Sequence, residues 1–108
     1  MGYIRHHTIA ITSWKKEELE KLHIKINAIA PNIITNIYKS PLNGYHTFYL
    51  IPDGSKEGWE ESEAYNEIRN RIKNIIKEMK YDDGSNCIRF CELYYGGDDS
   101  KPKIEGFN

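Results

Sequence analysis

The chain has 108 residues and a formal net charge of −1, with 15 basic and 16 acidic residues. This length predicts one domain with a single hydrophobic core. The balanced charge argues against a general binder of nucleic acid or anionic membrane, which would carry a basic excess. No apolar run approaches the roughly 18 residues of a membrane span.

The first elements predicted are a strand and a helix. Residues Tyr3–Thr12 contain β-branched residues and end in an apolar alternation, which indicates a strand. Thr12 and Ser13 are suitable N-cap residues for the helix that follows. Apolar side chains recur near helical spacing over that helix. These are Trp14, Leu19, Leu22, Ile26 and Ile29.

Two further strands and a long connection come next. Ile33–Ser40 and Tyr45–Ile51 are predicted to pair as a hairpin around Asn43-Gly44, a strong turn signal. The connection "IPDGSKEGWEESE" (Ile51–Glu63) then leads to the second helix. It is longer than the four to six residues usual in compact domains. It also carries a tryptophan and two glycines, so its length and composition single it out.

The last predicted elements are a helix and a strand. The helix carries an apolar face with helical spacing, made of Tyr65, Ile68, Ile72, Ile75, Ile76 and Met79. Gly84 is expected to end it, and Cys87–Tyr95 alternates like a fourth strand. Residues 1–97 are therefore predicted to form a single domain, and residues 98–108 a tail that is mobile or dependent on a partner.

The order β-α-β-β-α-β predicts an α/β (α+β) fold. It is the arrangement of a two-layer ferredoxin-like sandwich with an antiparallel four-stranded sheet, whose usual strand order is 4-1-3-2. In that topology the start of the first strand lies near the ends of the third and fourth strands. The connection at Ile51–Glu63 comes to the same end.

The residues that converge at this end of the sheet predict a site for a small anionic, nucleotide-type ligand. Cations and a helix N-terminus attract phosphate, glycines allow close backbone approach, and aromatic rings stack on a base. The candidate ligand-binding residues are Arg5, His7, Gly54, Ser55, Lys56, Trp59 and Tyr95. In the alternative interpretation Trp59 plugs the core and the glycines only form turns. Glu57, Glu60 and Glu61 would repel a phosphate.

Catalytic and metal chemistry have weaker support in the sequence. His6-His7-Thr8 contains the H-x-T half of a two-histidine phosphoesterase motif, but His46-Thr47 does not supply the other half. Adjacent histidines on a strand also face opposite sides, with His7 predicted toward the helices and His6 on the open face. We therefore predict no catalytic residue, no cofactor and no metal ligand spacing, and keep a phosphodiesterase using His6 or His7 as an alternative.

The face of the sheet opposite the helices is predicted to be apolar and aromatic. Side chains of one parity on the third and fourth strands should lie there: Thr47, Tyr49, Ile51, Cys91, Leu93 and Tyr95. Two-layer domains often cover such a face by self-association, so a homo-oligomer is expected. An RNA-binding role has little support, because the first strand lacks a stacking aromatic and the chain has no basic excess.

Several segments of the chain resemble a family of small, uncharacterised phage-encoded proteins. The most specific is "PDGSKEGWEES", and the shorter ones are "YIRHH", "ITSW", "NGY" and "DGS". The resemblance extends to about residue 97 and implies a phage protein in the bacterial cytoplasm. Two cysteines too far apart along one strand to form a disulfide agree with that compartment.

These observations predict a non-enzymatic phage protein that sequesters a small nucleotide, for example a host immune messenger. Such anti-defence "sponges" need a binding site and no catalytic group. The first alternative is a protein that inhibits a host factor by binding it. That protein would use the open sheet face or the acidic stretch from Glu57 to Glu63.

Overall fold

The computed structural model describes residues 5–56, 58–96 and 102–108, and of Arg5 only the backbone. The elements are β1 (Arg5–Ser13), α1 (Lys16–Ile29), β2 (Tyr38–Lys39), β3 (His46–Leu50), α2 (Glu60–Glu78), β4 (Ile88–Gly96) and β5 (Lys103–Phe107). The strands form one antiparallel sheet in the order β2-β3-β1-β4-β5. The first six elements and the relative order of their strands agree with the predicted arrangement.

The hydrophobic core lies between the two helices and one face of the sheet. Successive strand residues point to opposite faces, and on β3 and β4 one parity is buried: Phe48, Leu50, Ile88 and Phe90. The helices cover them with the apolar positions Leu19, Leu22, Ile26, Ile72 and Ile76. The parity predicted for the core is therefore confirmed.

A fifth strand corrects the predicted four-stranded sheet. β5 comes from the C-terminal segment that the sequence predicts to be mobile, and it pairs with β4 through Cys91↔Phe107 and Leu93↔Ile104. The side chain of Asn108 continues the pairing, because its Oδ1 accepts from the Phe90 N–H and its Nδ2 donates to Ile88 O. Residues 98–101 of the predicted tail lie outside the described part of the chain.

The second strand is much shorter than the predicted Ile33–Ser40. Before Tyr38–Lys39 only an isolated bridge joins Ile34 to Leu50. Thr35 explains the irregularity: its hydroxyl accepts from the Tyr49 N–H at 2.9 Å, while its carbonyl accepts from His23 Nε2 at 2.8 Å. Because α1 takes the Thr35 carbonyl through His23, a regular pairing with β3 cannot form there.

The predicted start of α1 is also wrong. Thr12 and Ser13 belong to β1, which continues its pairing with β3 and β4 through Ser13. Ser13 Oγ donates to Cys87 O and accepts from the Lys15 N–H. α1 therefore begins at Lys16 without a side-chain cap, and Trp14 is 55% exposed instead of packed in the core.

Helix α2 ends at Glu78, well before the predicted stop at Gly84. The last turn is satisfied by a different residue, since Asn86 Nδ2 donates to Ile76 O at 2.7 Å. A helix end leaves carbonyl groups without helical partners. This asparagine takes over part of the role that the sequence assigned to the glycine.

A cluster of charged side chains is buried beside this apolar core. Arg69 of α2 is 2% exposed and donates from Nη1 to Asp53 Oδ2 at 2.8 Å, and from Nη2 to Asn66 Oδ1. Its Nε lies 3.7 Å from Glu92 Oε2 on β4, and Lys73 donates to the other Glu92 oxygen. Two basic and two acidic groups thus join the connection after β3, helix α2 and strand β4.

Arg69→Leu is predicted to destabilise the fold by about 3 to 5 kcal/mol, because it leaves the Asp53 carboxylate without its cation and takes one of two cations from Glu92. Urea unfolding followed by circular dichroism measures this difference. Arg71→Leu is the matched control, since Arg71 lies on the same helix and is exposed. Its effect should stay within about 0.5 kcal/mol. Equal effects of the two substitutions would contradict a structural role for the cluster.

Candidate ligand-binding site

The connection between β3 and α2 contains a tight turn at Asp53-Gly54-Ser55. Asp53 Oδ1 accepts hydrogen bonds from both the backbone N–H and the hydroxyl of Ser55. Gly54 sits at φ +81°, a left-handed conformation that glycine adopts without steric cost. The polar groups of Ser55 that were predicted to meet a phosphate therefore hold the turn.

The same three residue types form a second turn at Asp83-Gly84-Ser85. Asp83 Oδ1 again accepts from the N–H and hydroxyl of Ser85, and Gly84 again has a positive φ. The surroundings differ, because Asp83 is exposed while Asp53 reaches Arg69. The local sequence thus specifies the turn, and the neighbouring helix decides what the turn is attached to.

The environment of Asp53 lowers the pKa of its carboxyl below the ordinary value of 3.8. Partial burial opposes this change, since it disfavours the charged form. The hydrogen bonds from Ser55 and Arg69 stabilise the carboxylate and outweigh the effect of burial. Asp53 is therefore a permanent anion near neutral pH and a stable partner for Arg69.

Lys56 and Trp59 lie at the end of the connection, where α2 begins. Lys56 Nζ is 5.7 Å from the centroid of the Trp59 ring, within the range of a cation–π contact. Trp59 is 48% exposed and lies outside the hydrophobic core, so it does not plug the core as the alternative interpretation required. Within the described part of the chain the Lys56 ammonium makes no ion pair.

The first turn of α2 combines attraction and repulsion for an anion. Trp59 is the N-cap residue and provides no side-chain cap, so the first backbone N–H groups of the helix remain without that partner. Glu60, Glu61 and Glu63 occupy the same turn and add negative charge. Glu57 lies outside the described residues. The positive charge of this site therefore comes from Lys56 more than from the helix end.

The remaining predicted residues divide between the two faces of the sheet. His7 lies on the helix side with its ring 5.6 Å from that of Tyr94, whereas Tyr95 lies on the open face with its ring 5.2 Å from that of His6. This confirms the opposite orientations expected of two adjacent strand residues. The predicted constellation is therefore split, since His7 and Tyr95 cannot contact one ligand from the same side. The side chain of Arg5 is outside the described part.

The open face of the sheet carries a row of large apolar and aromatic side chains. The pairing registers place these residues on the side opposite the helices. Their exposed fractions range from 37% to 71% in Tyr38, Tyr49, Leu93, Tyr95, Ile104 and Phe107. On the central strand the small side chains of Thr8, Ala10 and Thr12 lie on this face, with the His6 ring at the end beside Tyr95. The face is thus a shallow trough with aromatic sides.

Sequence reasoning missed the charged cluster that anchors the connection. A signal was present, since Arg69 falls among the inward positions of α2 and Glu92 shares the inward parity of β4. Charged residues at inward positions are rarely tolerated unless they are paired. At Asp53 the local sequence shows only an aspartate next to a glycine, which is typical of a turn. Its link to Arg69 depends on tertiary packing.

The described residues contain no candidate metal-ligand cluster and no candidate membrane-spanning helix. Within 5–56, 58–96 and 102–108, no group of three or more histidine, cysteine, aspartate or glutamate side chains could hold a metal ion. No helix in the same ranges is sufficiently long and apolar to cross a membrane. Cys87 and Cys91 are both free thiols.

No protein-family model and no curated protein matches the chain. Among solved structures it is similar to the monomeric guanylyl cyclase domain of the RhoGC fusion protein from the aquatic fungus Blastocladiella emersonii, with 16% identity and a TM-score of 0.40. The alignment covers 98% of this chain and 67% of the other. A likeness of this degree carries no conclusion about activity or ligand.

Asp53→Asn is predicted to reduce the loss of stability that occurs when the pH is lowered into the acid range. Because the pKa of Asp53 is lowered in the folded state, its ionisation adds to the free energy of unfolding. This contribution is complete above the unfolded-state pKa of about 3.9 and is lost as the pH falls through the folded-state pKa. The variant should be less stable than wild type at pH 7, and the difference should shrink below about pH 4. Urea unfolding between pH 7 and 2 measures it. Asp83→Asn, in the exposed turn, is the control and should change stability less at every pH.

Proposed function

We propose that this chain is a non-enzymatic protein that binds and sequesters a small nucleotide-type ligand at Lys56 and Trp59. The observation that carries the proposal is the half-exposed Trp59 ring beside an ammonium group that makes no ion pair within the described residues. Exposed aromatic rings stack on bases, and each such stack is worth about 1 to 3 kcal/mol. An adjacent lysine supplies the charge for a phosphate.

The comparison with the second tryptophan supports this choice of site. Lys15 Nζ lies 5.1 Å from the ring centroids of both Trp14 and Tyr81 and donates to the Tyr81 hydroxyl at 2.8 Å. That hydrogen bond also raises the pKa of Lys15. The cation at the start of α1 is therefore engaged by the protein itself. Lys56, at the start of α2, makes no ion pair within the described residues, and its ammonium group is available to a ligand.

Several residues that were predicted to contact the ligand have other roles in this proposal. Gly54 and Ser55 shape the connection and do not contact the phosphate, because the Ser55 donors are used by Asp53. The glutamates of the first helical turn favour a ligand whose phosphate lies toward Lys56 and away from the helix end. His7 is assigned to the packing of the helix side, and Tyr95 belongs to the open face.

The biological setting of the proposal comes from the resemblance to phage-encoded proteins. A phage protein expressed in the bacterial cytoplasm would gain from trapping a nucleotide immune messenger of the host. Stoichiometric binding is sufficient for that task, so the absence of a catalytic arrangement in the sequence agrees with it. We therefore propose an anti-defence sponge of the ferredoxin-like class, extended by one strand.

Fluorescence of Trp59 tests the nucleotide proposal. Trp14→Phe leaves Trp59 as the single tryptophan of the chain, and this variant is titrated with ATP, cyclic AMP and cyclic di-AMP. At least one nucleotide should change the emission at or below about 100 μM, a binding free energy near −5.5 kcal/mol. Lys56→Gln should weaken that binding, whereas Lys25→Gln on the exposed side of α1 should not. No response to any of the three would refute the proposal.

The open sheet face favours a second binding function, self-association. The five strands have nine, two, five, nine and five residues, and at about 3.3 Å per residue and 4.8 Å between strands they cover roughly 480 Å². A standard interface buries about 800 Å² per partner, so a dimer through this face would also use residues beside the strands. The exposed aromatic and aliphatic side chains would form its centre. We propose a homo-oligomer through this face, with a host protein as the alternative occupant.

Sedimentation of the wild-type chain and of Leu93→Lys tests this second function. The wild type should form a dimer or larger oligomer at about 100 μM, and a charge in the middle of the face should dissociate it. Ile24→Lys is the matched control, because Ile24 is also apolar and is even more exposed, at 70% against 37% for Leu93, but lies on α1. A monomeric wild type would refute self-association. Capture of one host protein that Leu93→Lys loses would then assign the face to the inhibitor alternative.

A further inference from the structure

The buried charge cluster raises a question that stability alone does not answer. Burying ion pairs removes charged groups from water, and apolar residues of similar volume usually stabilise a protein as well or better. Arg69 nevertheless occupies a fully buried position on α2. Its strongest contact is with Asp53, in the connection that carries Lys56 and Trp59. The arginine is therefore placed to act on the candidate site.

The connection is tied to α2 at two points. Trp59 is the N-cap residue of the helix and is therefore joined to it through the backbone. Asp53 is held by Arg69, which lies on the helix ten residues after Trp59. Glu92 fixes Arg69 in turn to β4, with Lys73 as the second cation of the cluster. Lys56 lies between these two points of attachment. Its position relative to Trp59 is set by the hydrogen bond from the Trp59 N–H to Lys56 O at 3.2 Å, and the ion pair limits the segment on its other side.

We propose that Arg69 is a positioning residue that holds Lys56 and Trp59 in their binding geometry before a ligand arrives. The inference rests on the proposed function of those two residues and adds the means by which their site is preorganised. Without the Asp53 contact, the chain between Ile51, whose N–H bonds to Ile33 O, and Lys56, whose backbone lies in a β-bridge and accepts from the Trp59 N–H, loses its side-chain anchor. Binding would then have to order this segment, at a cost in affinity.

The second Asp-Gly-Ser turn provides an internal control for the test. Asp53→Asn weakens the link to Arg69, and Asp83→Asn makes the same change in a turn that forms no ion pair with an arginine of the described residues. ¹⁵N order parameters are measured in the ligand-free protein. We expect values near 0.85 for Gly54, Ser55 and Lys56 in wild type and values below about 0.6 in Asp53→Asn. Asp83→Asn should leave these three residues unchanged.

Affinity is measured on the same variants with ATP, cyclic AMP and cyclic di-AMP. Asp53→Asn should weaken binding of the responding nucleotide about tenfold, equivalent to 1.4 kcal/mol, while Asp83→Asn should not. If Asp53→Asn does not fold, Arg69→Lys replaces it, since lysine keeps the charge but lacks the forked donors. That variant should lower the same order parameters.

The outcomes separate this inference from the proposed function. Unchanged order parameters in the connection would overturn the positioning role even if nucleotides bind. Lowered order parameters with unchanged affinity would also overturn it, because the anchoring would then serve the fold alone. If wild type binds no nucleotide, the positioning role falls together with the binding site it serves. Order parameters that still fall in Asp53→Asn would then leave Arg69 a purely structural anchor.

Discussion

The ion pair between Arg69 and Asp53 is the constraint on which the rest of the site depends. It lies where the β3–α2 connection, helix α2 and strand β4 meet, and Glu92 and Lys73 complete its balance of charge. Two cations and two anions can be buried together because each has an opposite charge in contact. Removing Arg69 would take its cation from Asp53, and removing Glu92 would take its anion from Lys73. The arrangement holds Asp53, and with it the part of the connection that precedes Lys56 and Trp59.

Parity and periodicity were sufficient to predict most of the fold. The alternation in β3 and β4 and the helical spacing in α2 identified the buried side chains, because burial of one face dictates both patterns. The predictions failed where a side chain replaced a backbone partner. Thr35 shortened the second strand, Asn86 satisfied the end of α2, and Asn108 extended the pairing of β5. Such contacts join residues distant in sequence, so local patterns do not reveal them.

The sequence predicted only part of the candidate site, again because contacts between residues distant in sequence decide the rest. Chain order alone joins the long connection to the start of α2, where Lys56 and Trp59 meet. It did not predict the function of Asp53-Gly54-Ser55, since in the described part of the chain the carboxylate of the identical turn at Asp83 bonds only to Ser85. His7 and Tyr95 were grouped by position along their strands although their parity separates them. Proximity at one end of a sheet is therefore a weaker criterion than a shared face.

The two exposed features of the molecule are compatible with one mode of action. The Trp59 site lies at the start of α2, in the helical layer, whereas the aromatic trough lies on the opposite face of the sheet. Self-association through the trough would leave the helical layer of each copy exposed to solvent. An oligomer would then present one ligand site for each chain without any overlap between the interface and the sites. A sequestering protein benefits from this separation, because its capacity for ligand grows with the number of chains and needs no movement of the fold.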